Sequence, residues 1–454
     1  MLDRWQVPVV GPDAPFVFPP IRKRQLANGL SLWIVPHGAV PVVTMVLLVR
    51  AGSSADPSDR PGLASLTGDM LDEGAGDRSA LEMHEALARI GAQFDTEVGP
   101  DATFLTLTTL ARFRHEALEL LGDLVCRPMF DPGEFDRVRQ LRTNRLRQLR
   151  DVPSATADRA FVTALFGEHP YGHLAIGTMA ALERMRLEQV RGFHRAAYVP
   201  DNAVLIVVGD IDEADLQDEV DSVLGGWTPP ADHVVPPVPQ VDALPEPEDR
   251  LLLVDRPGAA QSELRVGHIG VPRATPDYHA LLLGNLVLGG QFVSRLNMNL
   301  RERRGFTYGA RSFFEFRLGA GTFQMQASVQ TESTAEAVRE AMHEVSALRN
   351  GRPITAEELE MARAALTKGY PRNFETADQI ARSIAQLALY RLPDDYFATF
   401  VPRVSALALD EVQDAARRHM HPERLVTLIV GDAERVTPTL DTLGLGPPRR
   451  LAPP

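Results

Sequence analysis

Apolar and polar positions along the chain repeat in two rounds. Each round opens with strand-like runs, Leu30–Pro36 then Val42–Arg50 in the first and Arg250–Asp255 then Glu263–Val271 in the second. Helical periodicity follows. Ser79-Ala-Leu-Glu82 has the spacing of a capping box and predicts a helix through about Ile90. Further helices fit Arg112–Cys126, Pro132–Arg150, Glu188–Ala197, Ala335–Arg349 and Ala356–Tyr370, with alternating strands over Thr103–Leu110 and Gly321–Gln330. Both rounds close alike. Tyr198-Val-Pro-Asp-Asn-Ala-Val-Leu-Ile-Val-Val-Gly-Asp210 and Met420-His-Pro-Glu-Arg-Leu-Val-Thr-Leu-Ile-Val-Gly-Asp432 each run from a proline turn through a buried strand to Gly-Asp, 222 positions apart. Interleaved helices with hairpin-like strand pairs predict an α+β fold of two related halves, each with a mostly antiparallel sheet covered by helices.

Between the halves, Trp227 to Arg250 holds seven prolines (Pro229, Pro230, Pro236, Pro237, Pro239, Pro245 and Pro247), a composition suited to a semi-extended linker. The expected division is an extension over 1–20, a first half over 21–226, a linker over 227–249, a second half over 250–445 and a tail over 446–454. The 454 residues suffice for sizeable cores without disulfides. With 44% hydrophobic and 24% charged residues, the composition is that of a globular protein, not a fibrous or disordered one. Lys and Arg number 47 against 60 Asp and Glu, a net charge of −13, which argues against a general electrostatic hold on nucleic acid. The lone Cys126 excludes an intrachain disulfide and a cysteine-rich zinc module. No apolar run approaches the ~18 residues of a membrane span. The first residues lack the pattern of a signal peptide, so the cytoplasm is expected and a periplasmic mature form stays open.

The most distinctive segment is Leu288-Gly-Gly-Gln-Phe-Val-Ser-Arg-Leu-Asn-Met-Asn-Leu-Arg-Glu-Arg-Arg-Gly-Phe-Thr-Tyr-Gly-Ala-Arg-Ser312. Its spacing predicts a helix over Gln291–Arg304 with an apolar stripe at Phe292, Leu296 and Leu300, stopped by Gly305. A strand follows in which Phe306 and Tyr308 share a face. On the residues alone, Arg301 favours the helix dipole and Tyr308 packs at a sheet edge. The segment as a whole, with Gln261-Ser, Pro276-Asp-Tyr278 and Asn285, resembles the second repeat of the pitrilysin, insulin-degrading-enzyme and mitochondrial-processing-peptidase family. The likeness runs from about Ile21 to Asp432. It implies two similar α+β domains within each half. It also implies that Arg301 and Tyr308 bind the substrate carbonyl, and the oxyanion that develops there, at the zinc of a catalytic repeat.

The first repeat departs from that family where the metal belongs. The lead Arg60-Pro-Gly-Leu-Ala64 is intact, but the inverted H-x-x-E-H positions read Ser65-Leu-Thr-Gly-Asp69. Ser65 and Asp69 replace both histidines and Gly68 the general-base glutamate. The family's third ligand, a glutamate about 77 positions further on, falls among Arg137, Arg139, Arg142, Arg145, Arg147 and Arg150, with no acid between Arg137 and Arg150. Zinc needs imidazole or anionic ligands, so no metal is expected in this chain. The six-arginine helix reads as a solvated face or subunit contact. His169-Pro-Tyr-Gly-His173 reads as a structural turn, His419-Met-His421 as a solvated turn, and Cys126 as a small buried hydrophobe. Gly289-Gly290 lacks the rest of a phosphate loop.

The resemblance therefore implies a chain not catalytic alone: the non-catalytic subunit of a heterodimeric zinc metallopeptidase. A homologous partner with an intact H-x-x-E-H would hold the zinc, and Arg301 and Tyr308 would serve it in trans. Peptide or unfolded polypeptide would be the substrate, added as a strand to the partner's sheet edge. The alternatives are a structural or peptide-binding subunit with no role in proteolysis, and a homodimeric peptide-binding pseudoenzyme.

Overall fold

The computed structural model describes residues 17–38, 40–231, 234, 237, 239 and 249–454. Most of the expected linker, and residues 1–16 of the expected extension, lie outside these. Twelve strands build two six-stranded sheets. In the first half they are β1 Arg22–Gln25, β2 Ser31–Pro36, β3 Val42–Val49, β4 Gln93–Val98, β5 Thr103–Leu110 and β6 Ala203–Gly209. In the second they are β7 Leu251–Asp255, β8 Gln261–Ile269, β9 Thr307–Glu315, β10 Thr322–Gln330, β11 Val426–Gly431 and β12 Arg449–Leu451. The sheet orders are β1-β2-β6-β3-β5-β4 and β9-β10-β8-β11-β7-β12. Five strands therefore recur in the same order in each half, which is the duplication that the two Gly-Asp closures announce. Only β2–β6, β7–β11 and β7–β12 pair in parallel.

Among the described residues each half holds one six-stranded sheet, where the resemblance implied a pair of domains per half. Residues 449–451, expected in a tail, add a strand to the second sheet. Phe18, expected in the extension, packs on Phe374 and Phe397, with ring centroids 5.2 and 4.7 Å away.

The central strands are buried on both faces, and alternate residues feed different cores. On β3 and β6, Val43, Met45, Leu47, Leu205 and Val207 join the helices of their own half. Val46, Leu48, Val204, Ile206 and Val208 instead face Ile380, Ala381, Ile384 and Ala385 on the second half's helix Ala377–Tyr390. The exchange is reciprocal. Helix Pro153–Phe166 of the first half lays Ala157, Phe161 and Leu165 on Leu252, Val254, Leu428 and Val430 of the second sheet. A polar clasp reinforces it: Asp101 accepts from Leu318 N at 2.8 Å, and the Tyr171 hydroxyl, hydrogen-bonded to Asp101, accepts from Gly319 N at 3.1 Å. The His169–His173 turn is thus structural, and Arg317 lies over the Tyr171 ring at 4.8 Å.

Three imidazoles, His194, His268 and His279, are held down to about 4 and make stability depend on pH. His268 accepts from His421 N at 3.0 Å on Nε2, so its Nδ1 donates to Ile269 O at 2.8 Å and the ring is neutral. Burial is the main cause in each of the three. An unfolded chain protonates these rings near 6.5, so between pH 6.5 and 4 it binds protons that the folded chain does not. Their contribution to stability is therefore expected to fall as pH drops through that window and to level off below it, while carboxylates held low by their partners, such as Asp277 and Glu358, lose theirs as the pH falls further. Burial raises the carboxyls of Asp72 and Asp101, which act in the opposite sense. Comparison of wild type with His268→Gln by urea midpoints at pH 7.5 and 5 isolates the imidazole: the variant should lose less on acidification, and equal losses would count against it.

Candidate functional site

The lead to the degenerate motif keeps its shape through one buried carboxylate. Asp56 accepts from Gly62 N at 2.6 Å and Ala64 N at 2.7 Å, capping α1 (Leu63–Asp69), and His173 Nε2 lies 3.0 Å from the same carboxylate. Gly62 has φ +100° and lies so close to Gly177 that an added Cβ would sit 2.9 Å from its Cα. α1 then presents Ser65, Gly68 and Asp69. An added Cβ at Gly68 would lie 2.9 Å from Thr96 Cγ2 on the edge strand β4. Any side chain there would require the Thr96 side chain to shift.

Arg142 meets the degenerate motif from a second helix. It stands 77 positions after Ser65 on the helix Pro132–Arg150 and is 8% exposed. Its Nη1 donates to Ser65 Oγ at 2.9 Å and pairs with Asp69, while Nη2 donates to Ala175 O at 3.3 Å and Ile176 O at 3.2 Å. A guanidinium thus joins Ser65 and Asp69, two positions of the degenerate motif. The donor set of a hydroxyl, one carboxylate and a cation does not fit zinc. Among the described residues no group of three or more His, Cys, Asp or Glu could hold a metal ion. The six-arginine helix is accordingly not a uniformly solvated face, because Arg142 is turned inward. A groove of about 330 Å³ runs beside it, lined by Asp69, Asp72, Thr96, Leu141 and Arg142.

The second-half segment is organised by close backbone approach. An added Cβ at Gly289 would lie 2.5 Å from Ser312 N on β9, so the glycines serve packing and cradle no phosphate. Asn285 binds Ser312 twice, donating to its carbonyl at 3.0 Å and accepting from its hydroxyl at 2.7 Å. The expected continuous helix over Gln291–Arg304 is shorter. Gln291–Val293 form a turn, Ser294 precedes a helical turn Arg295–Asn297 without capping it, and Met298–Arg303 widen into a π-helix. Leu296 and Leu300 are buried as expected, but Phe292 is 65% exposed because it precedes the helix.

The arginines divide sharply. Arg295 is buried, donating to Glu358 and to the carbonyls of Arg352 and Pro353. Arg304 is tied to Asn299, Glu336 and Glu340. Arg301 stacks on the Phe292 ring at 4.4 Å, and its buried Nη1 lies 3.3 Å from Glu302 Oε1, an ion pair without hydrogen-bond geometry. Past Gly305 (φ +66°), β9 opens with a bulge. Thr307 faces Val329 and Ala310 faces Ala327, leaving one residue extra. That bulge breaks the expected shared face: Phe306 is half-buried against the core, and Tyr308 is 92% exposed.

The remaining sequence candidates are structural. His419 ends a helix and pairs with Asp277 at 2.6 Å, and Met420 is fully buried, so that segment is not a solvated turn. Burial pushes the Cys126 thiol up to about 12, away from thiolate chemistry. Among the described residues no helix is long and apolar enough to cross a membrane.

Family models match both halves: insulinase (peptidase family M16) over residues 36–178, and peptidase M16 inactive domain over 184–366. The uncharacterized zinc protease YmxG of Bacillus subtilis is 22% identical over 90% of this chain and 98% of its own. The non-peptidase homolog YmxG of Helicobacter pylori is 23% identical over 87% and 90%. A solved peptidase M16 inactive domain from Pseudomonas fluorescens, 26% identical, superposes with a TM-score of 0.80 over 90% of this chain and 97% of its own. Both halves match models of one family, so the chain belongs to the M16, or insulinase, family as one of its non-catalytic members.

Proposed function

We propose that this chain is the non-catalytic subunit of a heterodimeric zinc metallopeptidase, supplying Arg301 and Tyr308 to a homologous partner that carries H-x-x-E-H and the zinc. One observation carries the reading: Arg295 and Arg304 are held by carboxylates of other elements, whereas Arg301 rests on the Phe292 ring and Glu302 of its own segment, seven positions before an exposed Tyr308. A peptide enters the partner's site as an added strand, held by main-chain hydrogen bonds. The Arg301 guanidinium and the Tyr308 hydroxyl donate to its carbonyl oxygen, and both bonds strengthen as charge develops there.

The test is to purify the chain alone and with an M16 homologue bearing an intact motif, then measure bound zinc and cleavage of an unfolded polypeptide. The chain alone should hold no stoichiometric zinc and cleave nothing, and the pair should do both. Zinc-dependent cleavage by the isolated chain at the pair's rate would overturn the reading. A stable pair whose turnover ignores this chain would mark a purely structural subunit.

A further inference from the structure

We propose that Asn297 is a positioning residue that fixes Arg301 and Tyr308 relative to one another; this rests on reading those two side chains as the donors to substrate. Asn297 is 4% exposed and uses both ends of its amide. Nδ2 donates to Phe292 O at 2.7 Å, and Oδ1 accepts from Ala310 N at 3.2 Å. The first bond holds the turn whose ring carries the Arg301 guanidinium. The second closes the bulge that turns Tyr308 outward, itself braced by Thr307 Oγ1 accepting from Gly309 N at 3.1 Å. One buried amide therefore spans the two structures that aim the two donors.

The residue type is dictated by that task. An amide presents a donor and an acceptor on two separate atoms of one short tip; aspartate would set a carboxylate oxygen against Phe292 O, and leucine would bond neither. The arrangement matters because little else holds Arg301. Arg304 is directed by three partners, whereas the direction of Arg301 depends on the Phe292 ring and a contact with Glu302. A donor aimed by stacking moves when its ring moves, and displacement of a catalytic group by a fraction of an ångström is costly.

The experiment uses the assembled peptidase with Asn297→Asp and Asn297→Ala, each also combined with Arg301→Ala, with Tyr308→Phe and with both. Alone, each Asn297 variant should lower kcat about tenfold with KM held within about twofold. In either background the further loss should be smaller, because one of the two donors it aims is gone, and with Arg301→Ala and Tyr308→Phe together it should fall below about twofold. Losses that multiply, or no loss where Arg301→Ala is costly, would overturn the proposal. If Arg301→Ala and Tyr308→Phe both leave turnover intact, the donor reading fails instead. Amide hydrogen exchange then judges Asn297 by itself. Asn297→Ala should speed exchange of the Ala310 amide about tenfold while β11 stays protected, and unchanged protection at Ala310 overturns the positioning role.

Discussion

Arg301→Ala is expected to lower turnover of the assembled peptidase by about 100-fold or more, and Tyr308→Phe by a similar factor, the usual cost of one lost oxyanion donor. The loss should fall on kcat rather than KM, since the charge these groups meet develops only as the carbonyl is attacked. Neither change should disturb the fold. Tyr308 is 92% exposed, and Arg301 bonds no element beyond its own segment. Steady-state kinetics with equal melting temperatures is the check; unchanged kcat in both variants would remove their assigned role. Arg295→Ala is the contrasting case. It strips the partner from Glu358 and from two carbonyls, so it should act through stability.

Phe161→Ala carries the largest expected effect on stability, about 3–5 kcal/mol for a buried phenylalanine in a close-packed core. Phe161 is fully buried on a helix that the first half lends to the second sheet, so the cavity opens between halves. Ile384→Ala is its counterpart on the helix lent in return and should cost about 2–5 kcal/mol. Each variant should lower the midpoint of one shared unfolding transition, because each sheet needs a helix from the other half. Urea unfolding followed by circular dichroism checks this. A Phe161→Ala loss under about 1 kcal/mol would show that the exchanged helix bears little of the fold.

Elements with a clear local period were legible in the sequence. Pro132–Arg150 and Thr103–Leu110 match the structure end to end, and the capping box at Ser79 forms as read. The exchanged helices were not foreseen. Pro153–Phe166 and Ala377–Tyr390 are defined by sheets far away in sequence, and nothing local identifies such a partner. β4 carried a usable signal, since Phe94, Thr96 and Val98 alternate with Gln93, Asp95 and Glu97 in burial. At the site, loss of the ligand types at Ser65, Gly68 and Asp69 was readable directly. Which of six arginines meets the motif was not, because only the packing of two helices selects Arg142. The bulge at Tyr308 was also hidden: one extra residue in a strand leaves composition and period nearly unchanged.

Arg142 also bears on the order in which such a site can be rebuilt. A histidine restored at 65 alone meets a guanidinium instead of a metal, and a glutamate at 68 meets Thr96. A glutamate at 142 alone sets two carboxylates face to face with no cation between them. Each of these three changes is unfavourable while the other positions stay as they are, so a zinc site is built here only by several changes together. The guanidinium works as a lock: with a fixed positive charge between the two helices, stability opposes the first step toward a metal.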